Sequence, residues 1–414
     1  MYDLHLTPEQ LEFRDTVRDF VENEIKPAAL HPDRLQPFEK PLLVELVHKA
    51  SQMGLRTLAL SEEGGGAGAD GLTSCIVLEE LAAGDVDIAA VLAHTSLLAH
   101  ALFDKLLTAS QRAQFLPKFS EDDRYHLAFA GHDPGAGRGW SYHRAMAADG
   151  GAELSAKKQA NGDWLITGSL PFVANAPIAK LFVVQARTDP KKTGASGMST
   201  LLVPRDTAGL AVGDPPKATG ATIRWHQGTG ASVTFKDCRV PADHFVGREG
   251  QSPLADGTLL ARGVPQMAAI NLGLGRVAYE AAVDYAKIRR QGGRNIIEHQ
   301  AIGGKLADCA IRLELARNMI WKAAWAFDHP DAVADRSIPG LPLHTIARVY
   351  TAEAVNEVTL LAAECFGAMG VMRDMPLQKY VHDGFVFAHA EETDAAAKLG
   401  IAEAVAGYER PLAA

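Results

Sequence analysis

The sequence predicts a chain in three parts: helices, then a β-domain, then a bundle of helices. Three observations carry this. Thr7 to about Asp122 follows a helical pattern, about Leu127 to Val240 breaks into short strand-like runs punctuated by Pro and Gly, and from about Leu254 long helical patterns return. The expected domains are therefore residues 1–122, 123–242 and 243–414. A length of 414 residues agrees with about three domains at roughly 150 residues each. A chain of that size buries a large core without help from metal or disulfide. No internal repeat of fixed period is visible.

The first helix starts at Thr7-Pro8-Glu9-Gln10, which supplies an N-cap, a proline at the first helical position and an early acid. Leu11, Phe13, Val17, Phe20, Val21 and Ile25 recur near helical spacing, and Pro27 is expected to end the run. Further helices are expected near Pro41–Met53, Leu72–Ala83 and Asp87–Leu107, with a glycine-rich loop at Ser61–Gly71. Strands are expected at Glu153–Lys158, Trp164–Thr167, Leu181–Ala186, Ser199–Val203 and Ser232–Phe235. Asn161-Gly162 between the first two predicts a type I′ hairpin turn, in which both residues take positive φ. The punctuation suits an antiparallel barrel or sandwich. In the last part, helices are expected at Gly275–Ile288, through Ile302, Leu306, Cys309, Leu313 and Leu315, through Ile346, Val349, Tyr350, Val355, Val358 and Leu361, and at Asp394–Ala406, with a loop at Asp328–Leu341.

Composition narrows the functions. Hydrophobic residues are 47% and charged residues 22%, ordinary for a globular protein. Net charge is -9, with 41 Lys+Arg against 50 Asp+Glu, so the chain lacks the basic footprint of a nucleic-acid binder and the polybasic clusters of a membrane-surface protein. No window approaches 18 uninterrupted apolar residues, and no membrane span is expected. Cys75, Cys238, Cys309 and Cys365 lie far apart with no CxxC pair, which predicts reduced thiols and no zinc. The opening MYDLHLTPEQLEF has no signal-peptide core, and a cytoplasmic location is expected.

Three segments carry candidate chemistry, each with a plainer alternative. His132-Asp133-Pro134-Gly135-Ala136-Gly137-Arg138 lets backbone approach a bulky ligand and offers Arg138 to a phosphate, or is an ordinary loop. Glu391-Glu392-Thr393 follows the apolar run Phe385–Ala388, where a carboxylate is desolvated and its pKa raised, or simply opens the next helix. Cys365–Gly370 is a glycine-rich turn between helices that permits close backbone contact or caps a helix.

Taken together and in order, these segments resemble the acyl-CoA dehydrogenase family. LTPEQLEFRDTVRDFVENEIKP is similar to its first helices, and EEGGGAGADGLTSCIVLEELAAGDVDIA to its segment with an EELA motif. DPGAG resembles the TEPxAGSD flavin loop, and ITGSLPFVANAPIAKLFVVQART the strands that follow it. YAKIRRQGGRNIIEHQAIGGKLADCAIRLELAR and FGAMGVMRDMPLQKYVHDG resemble the later helix pair and the FGGxGY stretch. The resemblance implies an acyl-CoA dehydrogenase-like fold: an α-helical N-terminal domain, a middle β-domain and a C-terminal four-helix bundle. It also implies FAD between β-domain and bundle, a homotetramer or homodimer, and α,β-dehydrogenation of an acyl-CoA. In that reaction a glutamate removes the α-proton, hydride passes to flavin N5, and electrons leave to an electron-transferring flavoprotein.

Residue by residue, the resemblance places the catalytic base on Glu391, with Glu392 and Thr393 in the remaining motif positions. The aromatic on the flavin falls on Phe172, and the threonine that reaches N5 on Ala174, beside Val173. Phe129, His132, Gly137 and Arg138 fall on the flavin loop and the strand before it. The adenosine-side arginine falls on Arg289 and the glutamine after it on Gln300. Glu364, Gly367 and Ala368 fall on the pyrophosphate side. Arg138, Arg262 and Glu392 are the substrate-side candidates. Several positions depart from the pattern: Ala174 cannot donate a side-chain hydrogen bond, Gly292 replaces an aromatic, Glu364 replaces an amide, and the CoA-side arginine falls on Val264, with Arg262 two residues earlier. These departures leave a second reading open, a cofactor-poor partner subunit of a hetero-oligomer, and a third, a flavin-dependent oxidase or oxygenase.

Overall fold

The computed structural model describes residues 5–31, 42–131, 154–192, 196–214, 229–254, 259–333, 340–372, 374–389 and 394–407. Helix α1 (Pro8–Phe20) starts as its sequence dictates: the Thr7 side chain accepts from the Gln10 N–H, and the Gln10 side chain accepts from the Thr7 N–H. The expected stop at Pro27 does not occur. A π turn, Val21–Ile25, intervenes and α2 (Lys26–Ala29) continues through the proline. The Lys26 N–H reaches back five residues to the Val21 carbonyl, so the wider turn relieves the fit that makes proline a breaker.

Then come α3 (Val44–Gln52), α4 (Gly71–Gly84), α5 (Val86–Ala99, prolonged by a π turn to Leu106) and α6 (Ala109–Glu121). By length and composition alone, the runs Val86–Leu106 and Leu343–Val371 are apolar enough to cross a membrane. The first is a core helix, with 89% of its most apolar window buried.

The β-domain holds β1 (His126–Ala130), β2 (Leu154–Lys158), β3 (Trp164–Ala174), β4 (Ala179–Arg187), β5 (Met198–Pro204), β6 (Leu210–Val212), β7 (Gly230–Val240) and β8 (Phe245–Val246). They form one sheet in the order β6-β7-β3-β2-β4-β5-β8, with β1 added on β4. Most pairings are antiparallel, as expected, but β1 runs parallel to β4, and β2 meets β4 in parallel at Ser155 and Arg187. The β2–β3 hairpin lies between β1 and β4 in the chain, giving the long connection that parallel pairing needs. Strand β4 is buried on both faces: Phe182 and Val184 enter the core of the β-domain, while Leu181 and Val183 pack towards Leu98, Phe115 and Phe119 of the helices.

The hairpin turn is not type I′. Only Gly162 takes positive φ (93°), and its N–H bonds to the Gln159 carbonyl. Asn161 instead uses its side chain locally, accepting from the Asp163 N–H at 3.2 Å.

The last part comprises α7 (Gly263–Ile288), the short ribbon β9 (Arg290–Gln291) and β10 (Arg294–Asn295), α8 (Gln300–Asp328), α9 (Leu343–Phe366), α10 (Leu377–His389) and α11 (Asp394–Ala406). Helices α7 to α10 pack as a bundle and α11 lies against α9. Helix α7 begins twelve residues before the expected start, because Pro265 falls in its first turn, where its missing N–H costs nothing. Leu315 does not share the buried face of α8: it is 52% exposed, two residues from buried Leu313 and so far round the helix. The helical N-terminal domain docks on the bundle through α4 and α7, and at Gly273 the two backbones come so close that a Cβ would lie 2.2 Å from the Glu79 carbonyl oxygen.

Candidate active site

The flavin-side candidates of the β-domain sit at the end of β3. Its register shifts between Leu170 and Val173, which pair with Val233 and Ala231. The Phe172 ring lies over Gly230, where a Cβ would be 2.1 Å from the ring. Only glycine there leaves space for that aromatic. Val173 is buried, and Ala174 is half-buried opposite Gly230.

Asn175 then turns the chain in the left-handed region (φ 64°). Its amide donates to the Val91 carbonyl (3.0 Å), the Leu127 carbonyl (3.2 Å) and Thr95 Oγ1 (3.2 Å). One side chain thus ties the end of β3 to α5 and β1. The network continues from Thr95 Oγ1 to His126 Nδ1 at 3.3 Å. Burial, helped by the Arg56 charge, pushes the His126 pKa down to about 3, so the ring is neutral and its bond to Thr95 is one between uncharged groups. Burial also lowers Arg56 to about 10, and its guanidinium lies 4.2 Å from the Phe119 ring centre. Phe129, expected beside the flavin loop, packs on the helix-side core and folds back so that a Cβ on Gly131 would meet its ring at 2.4 Å.

A second group of candidates gathers where α7 ends, α8 begins and α9 ends. Arg289 caps α7 and is exposed, with no side-chain hydrogen bond or ion pair among the described residues. Gly292 (φ 58°) and Gly293 (φ 85°) make the two-residue, double-positive turn between β9 and β10. Gln300, the first residue of α8, is exposed. Glu364 is ion-paired with Lys305 across α9 and α8. Beneath them Tyr285 and Phe366 stack, ring centres 4.1 Å apart. Gly367 leaves α9 at φ 58° and ψ -135°, and nothing lies within 4 Å of where a Cβ would be. Ala368 is exposed in the turn that follows.

His132, Gly137, Arg138, Glu391, Glu392 and Thr393 lie outside the described residues. Arg262, a substrate-side candidate, faces Asp328 at 3.1 Å, and its Nη1 is 3.4 Å from His100 Nε2. Asp328 also accepts from the Gly71 N–H at 2.7 Å. The Arg262 charge is therefore already matched by a carboxylate and ties the start of α7 to the end of α8.

Sequence reasoning missed two arrays. One is the Asn175–Thr95–His126 junction, whose only signal was an asparagine after a strand. The other is a charge cluster inside the helices. Glu79 meets Arg317 at 2.7 Å and Arg276 at 3.1 Å, and Glu80 meets Arg18 and Arg276, both at 2.7 Å. Two adjacent acids in the otherwise apolar run of α4 were the signal, since buried carboxylates require paired cations.

Models of the acyl-CoA dehydrogenase N-terminal, middle and C-terminal domains match residues 7–123, 147–238 and 254–406. A short-chain specific acyl-CoA dehydrogenase of Clostridium acetobutylicum is 31% identical over 401 residues, which span 96% of this chain and 98% of that protein. A mitochondrial isobutyryl-CoA dehydrogenase of Dictyostelium discoideum is 29% identical over 395 residues, spanning 95% and 88%. The solved structure of butyryl-CoA dehydrogenase from Megasphaera elsdenii matches with a TM-score of 0.82 at 26% identity, over 98% of this chain and 99% of that one.

Proposed function

Because the chain belongs to the acyl-CoA dehydrogenase family, we propose that it oxidises a short acyl-CoA between Cα and Cβ to the enoyl-CoA. The observation that carries this reading is the match of all three domain models in order along the chain. The short acyl group is supported by the relatives' names, short-chain specific and isobutyryl.

The residues present fit FAD on three points. Phe172 is held as an aromatic face by Gly230, Arg289 is an exposed cation free of protein partners among the described residues, and Gly367 presents open backbone. The exception is Ala174, which has no side-chain donor. Glu364 does not spoil the fit: Lys305 matches its charge, so it can stand near a pyrophosphate without repelling it. FAD, when bound, supplies the hydride acceptor that no side chain can provide.

The rest is the work of this chain. Glu391 takes the α-proton as carboxylate, and its backbone N–H donates to the thioester oxygen, which makes that proton acidic enough to remove. Phe172 keeps water from one side of the site, and Val173, on the other face of β3, anchors that strand in the core of the β-domain. An electron-transferring flavoprotein then receives the electrons. A homo-oligomer completes the proposal, supported by exposed Ile311 and Leu315 on α8 and Leu360 on α9.

Ala174 favours the second reading, a partner subunit that binds little FAD. The chain purified alone after expression with ample riboflavin separates the two. Dehydrogenation requires a flavin band near 450 nm that butyryl-CoA or isobutyryl-CoA bleaches without oxygen. A colourless protein that takes up no FAD overturns it.

A further inference from the structure

Helix α10 holds a buried ion pair. Lys379 Nζ donates to Asp383 Oδ2 at 2.8 Å, one turn away, and the two side chains are 3% and 6% exposed. The other carboxylate oxygen, Asp383 Oδ1, lies 3.4 Å from His382 Nδ1. Burial alone would lower the Lys379 pKa, but the Asp383 and Asp85 charges outweigh it and raise the pKa above its ordinary value. The ammonium therefore stays charged in the core. A pair this dry adds little stability, because stripping water from both ions costs about what their attraction returns. Two apolar side chains of similar volume would hold α10 as firmly. What a charge pair adds is direction, since it is satisfied in one rotation and register of the helix.

The surroundings give that register a use. Asp85 is 1% exposed and caps α5, accepting from the Asp87 and Ile88 N–H groups at 3.0 and 3.2 Å, and its charge acts on Lys379. Leu377 and Tyr380 of α10 share one core with Val86, Ile88 and Ala89 of α5. Lys379 thus relates α10 to the start of α5, while Val91 and Thr95, further along α5, hold Asn175 at the end of β3. One helix is the common frame for both. Helix α10 ends at His389, and Glu391 follows two residues later. Two residues span at most about 7 Å, so a shift of α10 carries over to the candidate base.

We propose that Lys379 and Asp383 are positioning residues for the base: the pair sets α10 against α5, and so sets Glu391 against the flavin-side end of β3. The inference rests on the acyl-CoA reading above, with Glu391 as base. Both side chains are too buried to meet substrate, so they act through Glu391 alone. A base displaced by about 1 Å loses on the order of 10²-fold in rate, while cofactor and substrate, held by other residues, still bind.

The test uses the FAD-loaded protein and the double variant Lys379→Met/Asp383→Leu, which puts apolar side chains of similar volume in place of the pair. Its melting temperature should stay close to the parent's. FAD and acyl-CoA should bind within about threefold of the parent, and the maximal rate of flavin bleaching in stopped flow should fall roughly 30- to 100-fold. In Glu391→Gln the same double replacement should slow bleaching little further, because the base that the pair places is gone. If the double variant does not fold, Asp383→Asn, which keeps the shape and breaks the pair, is read by the same rates. A folded variant that bleaches at the parent's rate overturns the proposal. So does a loss that only follows weaker FAD or acyl-CoA binding, or one as large in Glu391→Gln as in the parent, since each marks a pair that merely holds the fold. If no acyl-CoA bleaches the parent, the acyl-CoA reading itself fails and this inference falls with it.

Discussion

The two groups of cofactor candidates are built in opposite ways. At the end of β3 the chain is fixed from several sides: Asn175 is 1% exposed, sits in the left-handed region and spends its amide on three acceptors in two other elements. At the end of the bundle, Arg289, Gln300, Gly367 and Ala368 are exposed, and none has a side-chain partner among the described residues. The first group is paid for by the fold itself, through buried hydrogen bonds that persist without ligand. The second has its contacts still to make. A flat ring needs a wall that does not move, whereas a flexible, charged tail needs donors that are not already taken.

The contrast is sharpest in pH dependence. His126 refuses a proton until about pH 3, whereas an unfolded histidine accepts one near 6.5. Between those values the unfolded chain binds the extra proton, so stability is fully present above about 6.5 and falls with pH below it, by about 1.4 kcal/mol per unit from this one group. Denaturant unfolding of His126→Gln should lose that part of the acid slope. An unchanged slope would mean that the junction is not the closed core described above.

Asn175→Ala should follow, at about 2–4 kcal/mol of stability, because it removes three buried hydrogen bonds, to the Val91 and Leu127 carbonyls and to Thr95 Oγ1. Asn175→Gly should cost nearly as much, although glycine accepts positive φ freely, since the lost bonds dominate. Arg289→Ala should behave in reverse: apoprotein stability within about 0.5 kcal/mol of the parent, and FAD affinity roughly tenfold to hundredfold weaker by fluorescence titration. Equal destabilisation by Asn175→Ala and Arg289→Ala would erase the distinction between the two groups.

The same division explains what the sequence could tell. Features decided by neighbours in the chain were legible. The N-cap at Thr7 and the helix Asp394–Ala406 form where their residues predict. Features decided by packing were not. The π turn through Val21–Ile25 lies against Gly84 of α4, where a Cβ would be 2.7 Å from Ile25, and no local pattern announces that contact. A double-positive turn does exist, but at Gly292-Gly293; at Asn161-Gly162 the asparagine side chain found Asp163 and chose another turn. The junction at Asn175 joins residues up to 84 apart in sequence, beyond any periodicity. The acidic pair Glu391-Glu392 after an apolar run marks a candidate carboxylate, only the resemblance chooses Glu391 as the base, and both lie outside the described residues.

That choice of glutamate is the point on which the chemistry stands. Glu391→Gln keeps the shape of the side chain and removes the base. In the FAD-loaded protein, bleaching of the flavin by the best acyl-CoA should slow at least about 10³-fold in stopped flow, with FAD and acyl-CoA binding retained. Near-normal bleaching in Glu391→Gln, with the loss appearing in Glu392→Gln instead, would contradict the assignment by one residue. Normal bleaching in both would place the base elsewhere in the chain.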